Sequence, residues 1–174
     1  MDTIINYLYI ALADELLSSY QYWTARHSAR GRGRNDAIPE FQAHEAEERE
    51  HAEKIMLRLK ELGCKPIPDP VSLTQIGNEW TPITNCDVVN QAIILAEAEA
   101  KAVEFYKDAL LTARASGDDV SAKLFKEILS DEEEHRYDMD ELRYAVVEPE
   151  PVAKGQAVAR KRLSNRRVRL TRRH

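Results

Sequence analysis

The stretch "SDEEEHRYDMDEL", residues 130–142, places seven acidic residues around one histidine. An ordinary interpretation is a helix face in contact with water, and the alternative is that some of these carboxylates point inward and bind a metal. Within the stretch, Glu132 and His135 are three residues apart, a spacing that puts two side chains on one face of a helix. The choice between the two interpretations depends on residues elsewhere in the chain.

Helical periodicity marks four long segments of the 174-residue chain, and breakers separate them. A chain of this length is expected to form one domain and to bury a hydrophobic core. We expect the second helix to begin near Pro39, because proline suits a first helical turn. No stretch alternates convincingly with period two, so no strands are expected. The expected helices span residues 3–30, 39–63, 87–115 and 120–147.

The connection between the second and third helices, residues 64–85, contains four prolines and is far too long for a tight hairpin. Its length suits a crossover that runs the length of a bundle. Within it, "SLTQIGNEW", residues 72–80, is expected to form one short extra helix. The sequence therefore predicts an all-α four-helix bundle with a long crossover between helices two and three.

Each long helix carries a mostly apolar stripe at steps of three and four residues, and each stripe contains one glutamate near its middle. Burying an isolated carboxylate costs several kcal/mol, and four together would repel one another. Two divalent cations would balance the four negative charges, so the pattern favours a dinuclear metal site. The stripes read Leu8, Leu12, Glu15, Ser19 and Tyr22; Phe41, His44, Glu48, His51, Ile55 and Leu62; Val88, Ala92, Leu95, Glu99, Ala102 and Tyr106; and Phe125, Ile128, Glu132, His135, Met139 and Leu142.

The spacing of these residues repeats within the chain. The stretch "EEREH", residues 47–51, contains Glu48 and His51, and a displacement of 84 residues carries them onto Glu132 and His135. The same displacement relates Glu15 to Glu99 and Tyr22 to Tyr106, so the chain looks like two copies of a helix pair. Two Glu-x-x-His motifs and two further glutamates supply six ligands, a mixture that suits iron or manganese and disfavours thiolate-loving metals.

On these residues the chain resembles the ferritin superfamily over residues 1–147, closest to bacterioferritin and to Dps-like ferritins with a bacterioferritin-type di-iron centre. The resemblance implies a ferritin-like bundle and assigns a role to each position. It makes Glu15 and Glu99 terminal ligands, one for each of two iron ions per subunit, while Glu48 and Glu132 bridge the ions. It makes His51 and His135 ligands to one ion each, and Tyr22 a tyrosine that can supply an electron.

The resemblance also implies a ferroxidase that oxidises Fe(II) with O2 or H2O2 and stores the Fe(III) mineral inside a homo-oligomeric cage. The short helix expected in the crossover favours twelve subunits over twenty-four. Haem is not expected, because Arg49 occupies the position of bacterioferritin's haem-ligating methionine. Manganese in the centre, and peroxidase, catalase or oxygenase chemistry there, remain alternatives.

Other polar residues receive ordinary interpretations. Cys64 and Cys86 are expected at opposite ends of the bundle, each about 20 Å along a helix from the centre, and so unable to bridge within one chain. His44 lies one turn before Glu48 on the same stripe; it is expected to be partly exposed, with a position beside the metal ligands as the alternative. The remaining acids near the motifs are expected to face water or neighbouring subunits: Glu47, Glu50, Asp131, Glu133, Glu134 and Asp138.

The end of the chain differs in charge from the rest. Residues 154–174 carry nine Lys or Arg and no acid, and subtracting these nine from the overall charge of −5 leaves about −14 on residues 1–153. We treat residues 148–174 as a basic tail, which is either a solvated extension or a binder of nucleic acid without sequence preference. No run of about 18 apolar residues and no signal peptide is recognisable, so a cytoplasmic protein without membrane contact is expected.

A truncation tests the tail. If residues 154–174 bind phosphate backbones, the full chain will retard duplex DNA in a gel, and the retardation will fade as salt rises. A chain ending at Val147 will lose the shift. An unchanged shift after truncation would remove the tail from consideration.

Overall fold

The computed structural model describes residues 2–65, 67 and 69–147. This part of the chain contains five helices and no strand, with a single isolated backbone bridge between Arg30 and Asp87. The predicted all-α bundle with one extra short helix is confirmed, although that helix spans Pro70–Ile76 and not residues 72–80. The helices are α1 (Asp2–Ser28), α2 (Arg34–Glu61), α3 (Pro70–Ile76), α4 (Val88–Ala115) and α5 (Asp119–Val147).

The four long helices form two hairpins. Helix α1 packs mainly against α2, and α4 packs mainly against α5, while contacts between α1 and α4 and between α2 and α5 join the pairs. Both hairpin turns use a glycine in the left-handed region, Gly33 with φ 79° and Gly117 with φ 72°, where other residues are strained. After α4, the Gly117 amide donates to the Arg114 carbonyl and the Asp118 amide to the Ala113 carbonyl, the bonding of a Schellman turn.

The start of α2 differs from the prediction. The helix begins at Arg34, five residues before Pro39, and Pro39 lies inside it. The carbonyl of Gly33 accepts from the amide of Ala37 at 2.9 Å, which opens the helix at that point. Ala37 and Phe41 are both fully buried on one face, so packing holds an extra turn that the proline signal alone did not indicate.

The crossover follows α1 from one end of the bundle to the other. Near its start, the Tyr9 hydroxyl donates to the Lys65 carbonyl at 2.5 Å; midway, Asp14 accepts from the Asn78 amide at 2.7 Å. At its end, the Arg30 amide donates to the Cys86 carbonyl at 2.6 Å. These anchors follow the order of α1, so the predicted full-length crossover is confirmed.

Close approach between the crossover and α1 explains a glycine. A Cβ atom on Gly77 would lie 2.6 Å from the Asp14 carboxylate, so only glycine fits there without a shift.

The two cysteines lie at opposite ends of the crossover. Cys64 follows the end of α2, and Cys86 lies beside Arg30 at the other end of the bundle. Neither forms a disulfide, and Cys86 is exposed.

The core consists of two apolar clusters with a polar layer between them. One cluster includes Leu8, Leu12, Ile55 and Phe125, and the other includes Phe41, Leu95 and Met139. The predicted stripes are buried except at three places, which are half-buried: Leu62, Ala102 and Leu142.

The basic tail, residues 148–174, lies outside the described residues. Among the helices that the structure describes, none combines the length and apolarity needed to cross a membrane.

Candidate metal centre

The polar layer contains all six residues that the sequence identifies as ligands. Each of the four long helices contributes one glutamate, and α2 and α5 each add a histidine one turn further along. None of the six is more than 3 % exposed. The six are Glu15, Glu48, His51, Glu99, Glu132 and His135.

Their ligand atoms form two overlapping groups. One contains Glu15, Glu48, His51 and Glu132, and the other replaces Glu15 and His51 with Glu99 and His135. Within each group, one ligand atom per residue lies within 4.8 Å of the others. Each group offers three carboxylates and one imidazole, and the two groups share Glu48 and Glu132.

The shared carboxylates present one oxygen to each histidine. Glu48 Oε1 lies 3.2 Å from His135 Nδ1, and Glu48 Oε2 lies 3.7 Å from His51 Nδ1. Glu132 shows the reverse arrangement, with Oε1 3.3 Å from His51 Nδ1 and Oε2 3.5 Å from His135 Nδ1. This is the arrangement that lets one carboxylate bind two cations at once.

The outer nitrogen of each histidine faces a second carboxylate. His51 Nε2 lies 3.2 Å from Asp131, and His135 Nε2 lies 2.9 Å from Glu47. An N–H donated to a carboxylate in this way leaves Nδ1 as the metal-ligand nitrogen and orients the ring. Asp131 and Glu47 are partly exposed, as expected, but each also contacts a buried histidine, which the sequence analysis did not predict.

A sequence signal for these outer carboxylates was available. Each one directly precedes a shared glutamate, and the 84-residue displacement that relates Glu48 to Glu132 also relates Glu47 to Asp131. On a helix, the residue before an inward-facing one points to the flank of the same face, toward the neighbouring helix. Because α2 and α5 are in contact, each acid reaches the histidine of the opposite helix.

Two buried tyrosines contact the unshared glutamates. The Tyr22 hydroxyl donates to Glu99 Oε1 at 2.6 Å, and the Tyr106 hydroxyl donates to Glu15 Oε1. Tyr22 has an additional contact, because His44 Nδ1 lies 3.1 Å from its oxygen. His44 is fully buried, so its expected partial exposure was wrong. It packs against the centre, with its ring stacked on His135 at 4.2 Å between centroids.

Burial and mutual repulsion divide the four carboxylates into two classes. Burial, then the charges of Glu132 and Glu48, hold the pKa of Glu15 and of Glu99 well above the usual glutamate value. Burial also opposes ionisation of Glu48, but hydrogen bonds from the two histidines outweigh it and hold its pKa well below the usual value. Burial and the charge of Glu48 oppose ionisation of Glu132, but hydrogen bonds from the same histidines outweigh them and lower its pKa.

The pKa of each of the two histidines is raised above the usual histidine value. Burial alone would lower the pKa of His51, but the charge of Glu15 and hydrogen bonds to Asp131 and Glu132 raise it far above the usual histidine value. Hydrogen bonds to Glu132, Glu47 and Glu48 likewise outweigh burial and raise the pKa of His135. These directions favour two imidazolium rings facing two carboxylates, with the other two carboxyls protonated.

The donor set fits two divalent cations. Ligands about 2.1 Å from one cation at tetrahedral angles lie about 3.4 Å apart, and the distances around Nδ1 of His51 and His135 are 3.1–3.7 Å. Glu132 Oε1 is buried, and its contact among the described residues is the 3.3 Å ion pair with His51 Nδ1, a position that a cation would share. Replacing four protons with two divalent ions conserves charge.

These pKa directions predict proton release on metal binding. Glu15, Glu99, His51 and His135 each retain a proton at a pH where an exposed glutamate has lost its own, so metal must displace it. Zn(II) or Co(II) affinity will therefore fall as pH falls. Calorimetric titration of metal-free protein in buffers of different ionisation enthalpy measures the proton count directly. Binding with no proton release, or with affinity unchanged across pH 6 to 8, would contradict this protonation state.

Comparison with known proteins agrees with this geometry. The ferritin-like domain family matches residues 5–144. Two bacterioferritins, from Desulfovibrio desulfuricans and Rhodobacter capsulatus, are each 27 % identical to this chain over 132 residues. Those residues are 76 % of this chain and 69 % and 77 % of the two relatives.

Solved structures give the same result. The dodecameric thioferritin that is the bacterioferritin-related protein of Bacteroides fragilis superposes with a TM-score of 0.80 and 29 % identity, over 83 % of this chain and 86 % of that one. Dps from Thermosynechococcus elongatus shares the fold at a TM-score of 0.77 and 15 % identity, over 90 % and 94 % of the chains. The chain therefore belongs to the ferritin-like domain family.

Proposed function

We propose that this protein is a cytoplasmic ferroxidase that oxidises Fe(II) to Fe(III) with O2 or H2O2. The proposal rests on the two overlapping groups of ligand atoms, which share Glu48 and Glu132. A pair of adjacent Fe(II) ions delivers two electrons, which with two protons reduce O2 to H2O2 or H2O2 to water. Glu15 with His51 and Glu99 with His135 would each hold one ion, and Glu48 and Glu132 would lie between them.

The chain's own residues set the conditions for this reaction. The apolar clusters on either side of the layer exclude water, which strengthens the attraction between carboxylates and cations. Asp131 and Glu47 hold the two imidazoles with Nδ1 directed inward. The protons displaced when Fe(II) binds are released next to the site where the oxidant consumes two of them.

Removal of a shared ligand tests the proposal. Glu48→Gln removes a charge that both ions need while keeping the side-chain volume, so we expect rapid Fe(II) oxidation to slow by more than about tenfold. Stopped-flow absorbance of Fe(III) formation under air measures the rate. The matched control is Glu53→Gln, an exposed acid on the same helix, which will oxidise Fe(II) at the wild-type rate. Wild-type oxidation by the Glu48 variant would overturn the proposal.

We propose that Tyr22 supplies one electron when O2 is reduced fully to water. That reduction takes four electrons and four protons, of which the iron pair supplies two electrons, the phenol one and a further Fe(II) the fourth. The raised pKa of Tyr22, caused first by burial and then by the charge of Glu99, means that the phenol keeps its proton until it is oxidised. The proton can then pass to Glu99 along the 2.6 Å hydrogen bond, while the Nδ1–H of His44 donates to the remaining oxygen. Tyr106 has no imidazole in the equivalent place, because the counterpart of His44 in the repeat is Ile128.

The two tyrosines provide a matched pair for a test. Mixing Fe(II) protein with O2 and freezing within a second is expected to show a tyrosyl radical in electron paramagnetic resonance. We expect Tyr22→Phe to abolish the signal and Tyr106→Phe to keep it. A radical that survives in the Tyr22 variant would exclude this role.

We further propose that the protein stores its product in a cage of twelve subunits. The relative from Bacteroides fragilis is described as dodecameric, and the crossover of this chain contains the short helix α3. A cage also distinguishes storage from the alternatives of a di-metal peroxidase, catalase or oxygenase, which have no need of an interior space.

Sizing of the assembled protein before and after aerobic Fe(II) loading tests this part. Storage predicts a particle of twelve chains that retains far more iron than the two ions per chain of the centre. Saturation at the two ions of the centre, with continued turnover of H2O2 or of an organic substrate, would favour the enzyme alternatives instead.

A further inference from the structure

A second group of potential ligands lies beside the centre. Glu40 and His44 on α2 and Asp138 on α5 place one ligand atom each within 4.8 Å of one another. The His44 side chain is 0 % exposed, whereas Glu40 and Asp138 are 18 % and 23 % exposed. The group therefore has a buried imidazole at its base and two carboxylates that reach solvent.

The hydrogen bonds of Tyr22 determine which nitrogen of His44 faces this group. The Tyr22 hydroxyl donates its hydrogen to Glu99, so its oxygen accepts from the Nδ1–H of His44. The other ring nitrogen of His44, Nε2, is directed at the two carboxylates. Among the described residues, this buried Nε2 has no hydrogen-bond partner. An imidazole nitrogen that converges with two carboxylates needs a cation between them, either a proton or a metal ion.

The distances fit a shared cation. His44 Nε2 is 3.4 Å from Asp138 Oδ2 and 3.6 Å from Glu40 Oε1. Both separations exceed those of ordinary charge-assisted hydrogen bonds. They match the separation of about 3.4 Å expected for two ligands of one cation at tetrahedral angles.

The internal repeat shows that the di-metal layer does not itself require this group. In the other half of the chain, the counterparts of Glu40 and His44 are Leu124 and Ile128. The counterpart of Asp138 is Lys54, whose ammonium pairs with Glu127 at 2.9 Å. The six ligands and both tyrosines are the same in the two halves, whereas this group is present in only one of them. It therefore needs an explanation of its own.

We propose that Glu40, His44 and Asp138 form a third cation site that takes a divalent transition-metal ion from solvent and holds it beside the di-metal centre. One imidazole and two carboxylates suit Fe(II), Mn(II), Co(II) or Zn(II). His44 also belongs to a ligand group with Glu47 and His135, so donor atoms continue from the solvent-facing site to the centre. The site goes beyond the proposed function, because binding there requires no oxidation.

Cobalt binding tests the site without any redox step. Metal-free full-length protein is titrated with Co(II) by calorimetry, and the wild type is compared with the double variant Glu40→Gln, Asp138→Asn. We expect the variant to bind one Co(II) fewer per chain, because neutral amides are poor cation ligands. The matched control is Glu141→Gln, an exposed acid further along α5, which will bind as many ions as the wild type.

Equal stoichiometry in the wild type and the double variant would overturn the proposal. Anomalous diffraction from a crystal of the full chain soaked in Co(II) locates the ion independently of any variant. The site predicts a peak about 2.0–2.1 Å from His44 Nε2, between Glu40 and Asp138. Its absence in a crystal whose di-metal centre is filled would show that the group pairs only internally. Neither result depends on whether the protein oxidises Fe(II).

Discussion

The balance of charge in one buried layer is the constraint on which the rest of the structure depends. Four carboxylates and two imidazoles lie together with almost no exposure, and burial of any one charge alone would cost several kcal/mol. The directions of the pKa shifts favour a neutral layer without metal, in which both histidines are imidazolium and Glu15 and Glu99 are protonated. Two divalent cations can replace those four protons without changing the total charge, so the same side chains serve both states.

The surrounding fold keeps this layer dry and in register. Each of the four long helices supplies its glutamate from the middle of an otherwise apolar stripe, so the apolar clusters close the layer at both ends. The long crossover runs along α1 to the end of the bundle where α1 ends, so α4 begins beside Arg30. Helices α4 and α5 therefore repeat the arrangement of α1 and α2 in the opposite direction. The repeat explains why the shared carboxylates present one oxygen to each half.

Much of this could be predicted from the sequence, because the signals are local and occur twice. The periodic stripes place Glu15, Glu48, Glu99 and Glu132 inward, and the two Glu-x-x-His motifs identify the histidines. The start of α2 could not be predicted, because it depends on the packing of Ala37, which outweighs the local preference of Pro39 for a first turn. Position on a stripe also did not indicate the contacts of His44 with other helices, which are Tyr22 on α1 and His135 and Asp138 on α5.

The most direct test of the central claim is anomalous diffraction at the iron edge from crystals of the full chain exposed to Fe(II) without oxygen. We predict two peaks about 3.5–4 Å apart. One marks an ion bound by Glu15 and His51 Nδ1, and the other marks an ion bound by Glu99 and His135 Nδ1. Glu48 and Glu132 would lie between them, each with one oxygen on either ion. A single peak, or a layer that keeps its histidine–carboxylate hydrogen bonds with no iron bound, would contradict the account.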